Sequence, residues 1–229
     1  MGYGFYYDPS FIILIPAMIF AFYAQSRISS VFGKYLTVGS RFGYTGYEVA
    51  RRLLDAHGLH DVNIEQIQGR LTDHYDPRHK VLRLSNEVYA GRSIASVGVA
   101  AHECGHAIQH MDAYAPLSIR NAIAPIASIG SQAAFAFIIG GLVFNALNLL
   151  DIGILLFSGA VIFQIITLPV EFNASSRAVA LLESNDLVPT EELGPVRKVL
   201  NAAALTYVAA TVMAILQLAR LLLLRGRRN

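Results

Sequence analysis

Three stretches of this 229-residue chain, residues 121–150, 152–170 and 199–219, contain no Asp, Glu, Lys, Arg or His. A fourth, residues 9–27, is free of charge between its ends. Crossing the hydrocarbon core of a bilayer takes ~20 mostly apolar residues, about 17 at the short end. A buried core helix is the ordinary alternative for any one run, and it suits the first best, which is short and interrupted by Pro16. It fails for the other three together, because a chain this small cannot bury three such helices in a water-soluble core. The sequence therefore predicts an α-helical integral membrane protein with about four transmembrane helices. A composition of 54% hydrophobic against 15% charged residues agrees.

The first run reads as a retained anchor. The opening "MGYGFYYDPS" has no Lys or Arg, and Phe22 stands where a leader cleaved before Gln25 would need a small residue. Cys104 is the single cysteine, so no intrachain disulfide can form. No basic patch laced with aromatics is present, which removes nucleic acid as a partner.

Most of the charge lies between the first two runs, in residues 26–120. "TGYEVARRLLDAHGL" (residues 45–59) has apolar residues at helical spacing, and Thr45 with Glu48 forms the pattern of a capping box. Residues 61–85 alternate apolar and polar positions, predicting short strands with a hairpin at "YDPRHK". A helix follows over residues 93–111. This gives three parts: an anchor (1–27), a small α+β segment (28–120), and the remaining membrane helices (121–229).

With four spans, residues 26–120 and 171–198 share one side of the membrane. They hold eleven and three of the eighteen Lys and Arg, and the other four sit at the C-terminus. The positive-inside rule places the α+β segment in the cytoplasm, below the cell's inner membrane. The basic tail argues the other way.

The predicted helix over 93–111 carries "HECGH", an H-E-x-x-H pattern. Residues four apart on a helix share a face, so His102 and His106 can reach one ion, while Glu103 can serve as general base toward a water. His110 is eight residues beyond His102, a rise of ~12 Å. Zn–N bonds of about 2.0–2.1 Å exclude both from one ion on a straight helix. Cys104, off the histidine face, reads as a packing residue. A third ligand must come from a distant segment on the same side of the membrane. Glu171 qualifies, two spans beyond His106, but an ordinary interfacial carboxylate fits it equally. His74 and His79 flank a turn, and Glu183, Asp186, Glu191 and Glu192 read as solvated charges in a polar loop.

"LTDHYDPRHKVLRLS", "HECGHAIQH", "LPVEF" and "LNAAALTYVAA" together resemble the neutral zinc metallopeptidases of the YugP type, bacterial membrane proteins. The resemblance covers about residues 37–224. That family is in turn distantly similar to the HtpX-type and CAAX-prenyl membrane proteases, which share H-E-x-x-H and a downstream glutamate ligand opening an E-[FY]-x-A-D motif. The resemblance implies a zincin-like α+β insertion, one Zn2+ per chain, metal ligands His102, His106 and Glu171, and Glu103 as the catalytic base. Here Ser175 stands where those relatives carry Asp, leaving a histidine ligand's hydrogen-bond partner to Ser175 or Asn173. An edge strand before the zinc helix pairs with substrate in the relatives, and residues 81–84 are the expected counterpart.

The resulting expectation is a zinc-dependent endopeptidase acting on peptide or membrane-protein substrates at the membrane–cytosol boundary. The sequence does not identify the oxyanion-stabilising residue: His110, Tyr207 and Arg177 are the candidates, and Tyr207 reads first as a packing or interface aromatic. Two rivals use the same ligands without hydrolysis: a membrane metal-binding or transport protein, and a catalytically silent scaffold. Charges inside the spans would favour the first, and the spans have almost none. The intact Glu103 argues against the second.

Overall fold

The computed structural model describes residues 9–227. Residues 1–8 and 228–229, with the leader reading of the opening residues and part of the basic tail, lie outside the described residues. After a 3-10 turn at Pro9–Leu14, the chain forms α1 (Ile15–Leu36), α2 (Gly46–Ala56), β1 (Asn63–Ile67), β2 (His74–Asp76) and β3 (Val81–Ser85). The short α3 (Asn86–Tyr89) leads into α4 (Ile94–Met111), and three long helices follow: α5 (Ala115–Val143), α6 (Leu147–Ser184) and α7 (Thr190–Gly226).

Among the described residues, four helical stretches are long and apolar enough to cross a membrane: Ser10–Leu36, Ala115–Val143, Leu147–Ser184 and Thr190–Gly226. Their outer faces carry side chains such as Ile126 and Leu155, each 73% exposed. The close pairing of α5 and α6 depends on small residues. A Cβ on Gly141 would lie 2.6 Å from the Leu150 backbone nitrogen, and one on Gly153 would lie 2.9 Å from that of Ile138. Glycine at these contacts lets the two backbones approach, as in packed membrane helices.

The helices overrun the apolar stretches. α1 continues past residue 27 to Leu36, and α6 continues past Val170 to Ser184. The expected polar loop after the third span shrinks to the few residues between Ser184 and Thr190. Its sequence explains this: "EFNASSRAVALLES" buries Ala174, Ala178, Val179 and Leu182 on one helical face. Glu171 therefore stands on α6 itself, not between helices, and Glu191 and Glu192 begin α7. Glu192 is not solvated as expected. It is buried and accepts bonds from the Ser40 hydroxyl at 2.7 Å and the Arg41 backbone N–H at 2.9 Å.

The local signals of the α+β segment hold. Thr45 and Glu48 form the full capping box of α2, and the chain leaves that helix through Gly58 at φ +72°. Asp76 builds the β2–β3 turn by accepting the backbone N–H groups of Arg78 and His79. β2 pairs antiparallel with β3, and β1 pairs parallel with β3 on its other side. The order β1-β3-β2 makes β3 the central strand, correcting its expected place at an edge. Both its edges are occupied, and the free edge nearest α4 belongs to β2.

One core gathers the whole segment. Phe32 of α1, Leu53 and Leu54 of α2, Leu82 and Leu84 of β3, Leu182 of α6 and Val196 of α7 all pack around α4. α4 is buried on nearly every face, which accounts for its run of Ala, Gly and Val. Ser93 caps it, accepting the Ser96 N–H at 3.1 Å.

Candidate metal centre

His102 and His106 stand one turn apart on α4, their rings edge to face with centroids 4.8 Å apart. Gly105 between them brings in the third group. A Cβ at Gly105 would sit 2.7 Å from the Ala174 carbonyl oxygen, so only glycine permits this contact of α4 with α6. Glu171, one turn before Ala174, is thereby carried to the two imidazoles. Its Oε2 lies 3.4 Å from His102 Nε2 and 3.6 Å from His106 Nε2. These separations are too long for good hydrogen bonds. They match two donors around one tetrahedral ion, which sit about 3.3–3.4 Å apart when each is ~2.0–2.1 Å from zinc. Glu171 Oε2 is buried and, among the described residues, has no hydrogen-bond partner. An orphaned carboxylate oxygen facing two imidazole nitrogens is costly unless a cation completes it. The three residues together can hold a metal ion.

Surrounding side chains fix these donors. Arg120 Nη1 donates to Glu171 Oε1 at 3.1 Å, leaving Oε2 to face the histidines. Ser175 Oγ lies 3.2 Å from His102 Nδ1, and Gln109 Oε1 lies 3.0 Å from His106 Nδ1. With each Nδ1–H donating outward, both Nε2 lone pairs face the shared point. Ser175 thus reaches His102 directly, whereas Asn173 acts one step further out, through Gln109. The fully buried Gln109 donates through Nε2 to the Val170 carbonyl and to Asn173 Oδ1, both at 2.9 Å. It straddles Glu171 and ties α6 to α4.

Glu103 is buried beside this cluster. Burial pushes its pKa up to about 7, although nearby His102 and the Tyr75 backbone N–H favour its charged form. The Tyr75 contact shows that the free edge of β2 faces the site. Asp73, just before β2, has its pKa raised by burial even though the Ser85 N–H and hydroxyl both donate to it. Two cavities meet here. A cavity of about 420 Å³ runs between α1, α4 and α7 past Ile28, Phe32, Val99 and Leu200. A smaller one of about 200 Å³ runs along β2 past His74, Tyr75, Pro77 and Arg120.

The other expected candidates fall elsewhere. His110 Nδ1 lies 3.0 Å from the Tyr75 hydroxyl and stands apart from the ligand cluster. His79 pairs with Asp76, and His74 Nδ1 bonds the Thr72 carbonyl. Arg177 is held by Asp112 and Asn173. Cys104 is buried with its thiol toward the Ala50 carbonyl, a packing role. Gln109, Arg120 and Asp73 escaped the sequence reading. Arg120 left a signal: it is the last charge before the second apolar run, as Glu171 is the first after the third.

No solved structure matches the chain significantly. Among curated proteins, "Putative membrane protease YugP" of Bacillus subtilis (strain 168) is 49% identical over 217 residues, covering 94% of this chain and 96% of that protein. Residues 10–226 match a family described as "Putative neutral zinc metallopeptidase", and the chain belongs to that family.

Proposed function

We propose that this chain is a multi-pass membrane zinc endopeptidase that hydrolyses peptide bonds where the bilayer meets the cytosol. The observation that carries the reading is the orphaned Glu171 Oε2 facing His102 and His106, beside a buried Glu103 whose pKa is moved to about 7. A zinc ion held by these three residues would lower the pKa of a water toward neutrality and polarise the scissile carbonyl. Glu103 takes the proton from the attacking water and returns it to the leaving amine, a task suited to a group titrating near neutral pH. An extended substrate lies along the free edge of β2, with one neighbouring side chain in the larger cavity, against Ile28, Phe32, Val99 and Leu200.

The helix lengths support the placement. Arg225 donates to Asp151 at 2.9 Å, pairing α7 with α6 at the far end of the bundle. From Asp151 to Glu171 are twenty residues of continuous helix, ~30 Å at 1.5 Å per residue. That equals the thickness of a hydrocarbon core, about 30 Å. With the Asp151–Arg225 pair at one boundary, the metal ligands and Arg120 fall at the other. The Lys and Arg distribution supports a cytoplasmic position for that boundary.

The test is metal analysis of the purified protein with casein cleavage measured before and after chelation. One zinc per chain and chelator-sensitive cleavage are expected. Glu103→Gln should keep zinc and lose about 10²–10⁴-fold in rate, whereas Glu171→Gln should lose both zinc and activity. A Glu103→Gln protein with full activity, or a metal-free wild type that still cleaves casein, would sink the reading.

A further inference from the structure

Asp73, His102, Glu103, Glu171 and Tyr207 are the side chains that line both cavities. A peptide lying along β2 with one side chain in the larger cavity brings its reacting carbonyl to these groups. Hydrolysis by an attacking water turns that carbonyl oxygen into an anion, which needs a hydrogen-bond donor already aimed at it. The five groups sort themselves by chemistry. Two are imidazole and carboxylate donors to a cation, one is the general base, and Asp73 is a carboxylate engaged with Ser85. Tyr207 on α7 alone offers a neutral O–H.

The competing donors are committed elsewhere. Arg120 lines only the smaller cavity and holds Glu171 Oε1. His110 bonds Tyr75, and Arg177 bonds Asp112 and Asn173; neither lines a cavity of the site. A tyrosine at a membrane boundary is ordinarily an interfacial anchor, its ring outward among lipid headgroups. This one faces inward, its phenol within hydrogen-bonding reach of Glu171 and in the electrostatic field of Glu171, Glu103 and Arg120. Phenylalanine would fill the same space but would present no donor to the ligand cluster, where the phenol O–H already reaches Glu171.

We propose that Tyr207 is a catalytic residue that donates its phenol O–H to the substrate carbonyl oxygen as that oxygen becomes anionic, which rests on the peptidase reading above. The water oxygen bonds to the carbonyl carbon, its proton passes to Glu103, and the C=O pair moves onto the oxygen that Tyr207 faces. When the pair returns, the C–N bond breaks and the amine takes the proton from Glu103. Tyr207 keeps its own proton throughout.

The experiment compares wild type and Tyr207→Phe, full length and zinc-loaded, in detergent or nanodiscs. Fluorogenic casein gives kcat and KM, metal analysis gives zinc content, and calorimetry gives the affinity of a phosphinic pseudopeptide carrying apolar side chains. That compound reproduces the tetrahedral anion. Removing one oxyanion donor is worth about 10²–10³ in kcat. Tyr207→Phe should show a loss of that order with KM, zinc content and melting temperature unchanged, and should bind the phosphinic compound more weakly by a similar factor. Wild-type cleavage with Tyr207→Phe within threefold of it would sink the assignment alone. Loss of zinc together with activity would also overturn it, making Tyr207 a support for Glu171. Zinc-loaded wild type that cleaves nothing would sink the peptidase reading and take this assignment with it.

Discussion

Replacing Gly105 with alanine tests how the third ligand is delivered. The added methyl would lie 2.7 Å from the Ala174 carbonyl oxygen and 3.3 Å from that residue's carbonyl carbon and Cα. Ordinary contact begins at 3.4 Å, so the oxygen falls short by about 0.7 Å. Both sides of the contact are helix backbone, and no side chain can rotate away. Relief must come from separating α4 and α6, and Glu171 sits one turn from Ala174 on the moving helix. Zinc sites hold their ligand distances within about 0.2 Å, so even partial transmission of the shift breaks the geometry. Zinc affinity should fall by at least the 10–100-fold typical of disturbing a ligand's support. The fold should survive. Overpacking costs about 1–3 kcal/mol, and alanine returns about 1 kcal/mol over glycine within a helix. A competition titration with a chromophoric chelator reads the affinity, and melting of the metal-free protein reads the fold. Gly159→Ala, where a Cβ meets nothing within 4 Å, is the control and should bind zinc normally. If Gly105→Ala binds zinc as tightly as wild type, close α4–α6 approach is not what sets the site.

Burial of Glu103 also makes the metal-free protein pH-sensitive. Its folded pKa of about 7 exceeds the ordinary 4.5, so its contribution is fully present below 4.5 and lost as pH rises through 7. The loss amounts to about 3 kcal/mol, and Glu103→Gln should lack this part of the slope in melts from pH 4.5 to 8. An identical pH dependence of the two proteins would contradict the burial argument. Gln109→Leu preserves bulk but strands His106 Nδ1, the Val170 carbonyl and Asn173, so zinc affinity should drop about 10–100-fold while the melt shows a loss of about 1–3 kcal/mol. Unchanged zinc binding would make Gln109 a packing residue only. Reporter fusions should read as cytoplasmic within residues 37–93 and as external at Asn148; the reverse pattern would move the site to the outer face.

The amino-acid sequence was sufficient wherever one segment carries its own signal. The charge-free runs specify membrane-length helices because length and apolarity act on each segment independently. The Thr45–Glu48 capping box and the Asp76 turn are likewise closed by residues within three positions of one another. His102 and His106 share a face because helical geometry alone puts them there. What the sequence left undecided are relations between segments. Glu171 was a boundary carboxylate with two equal readings until the backbone contact at Gly105 and Ala174 carried it to the histidines. The resemblance made β3 an edge strand, and alternation could not correct it because it marks a strand but not its neighbours; β1 closed the other side through parallel pairing. Gln109 was within the quoted "HECGHAIQH" but showed no function, since its partners are on α6, more than sixty residues away. Helix ends also escaped, as α1 and α6 outrun their apolar stretches where packing against α4 and α7 buries their continuing faces. Hydropathy is a property of single segments, whereas a metal site depends on distances between them, and only tertiary packing sets those.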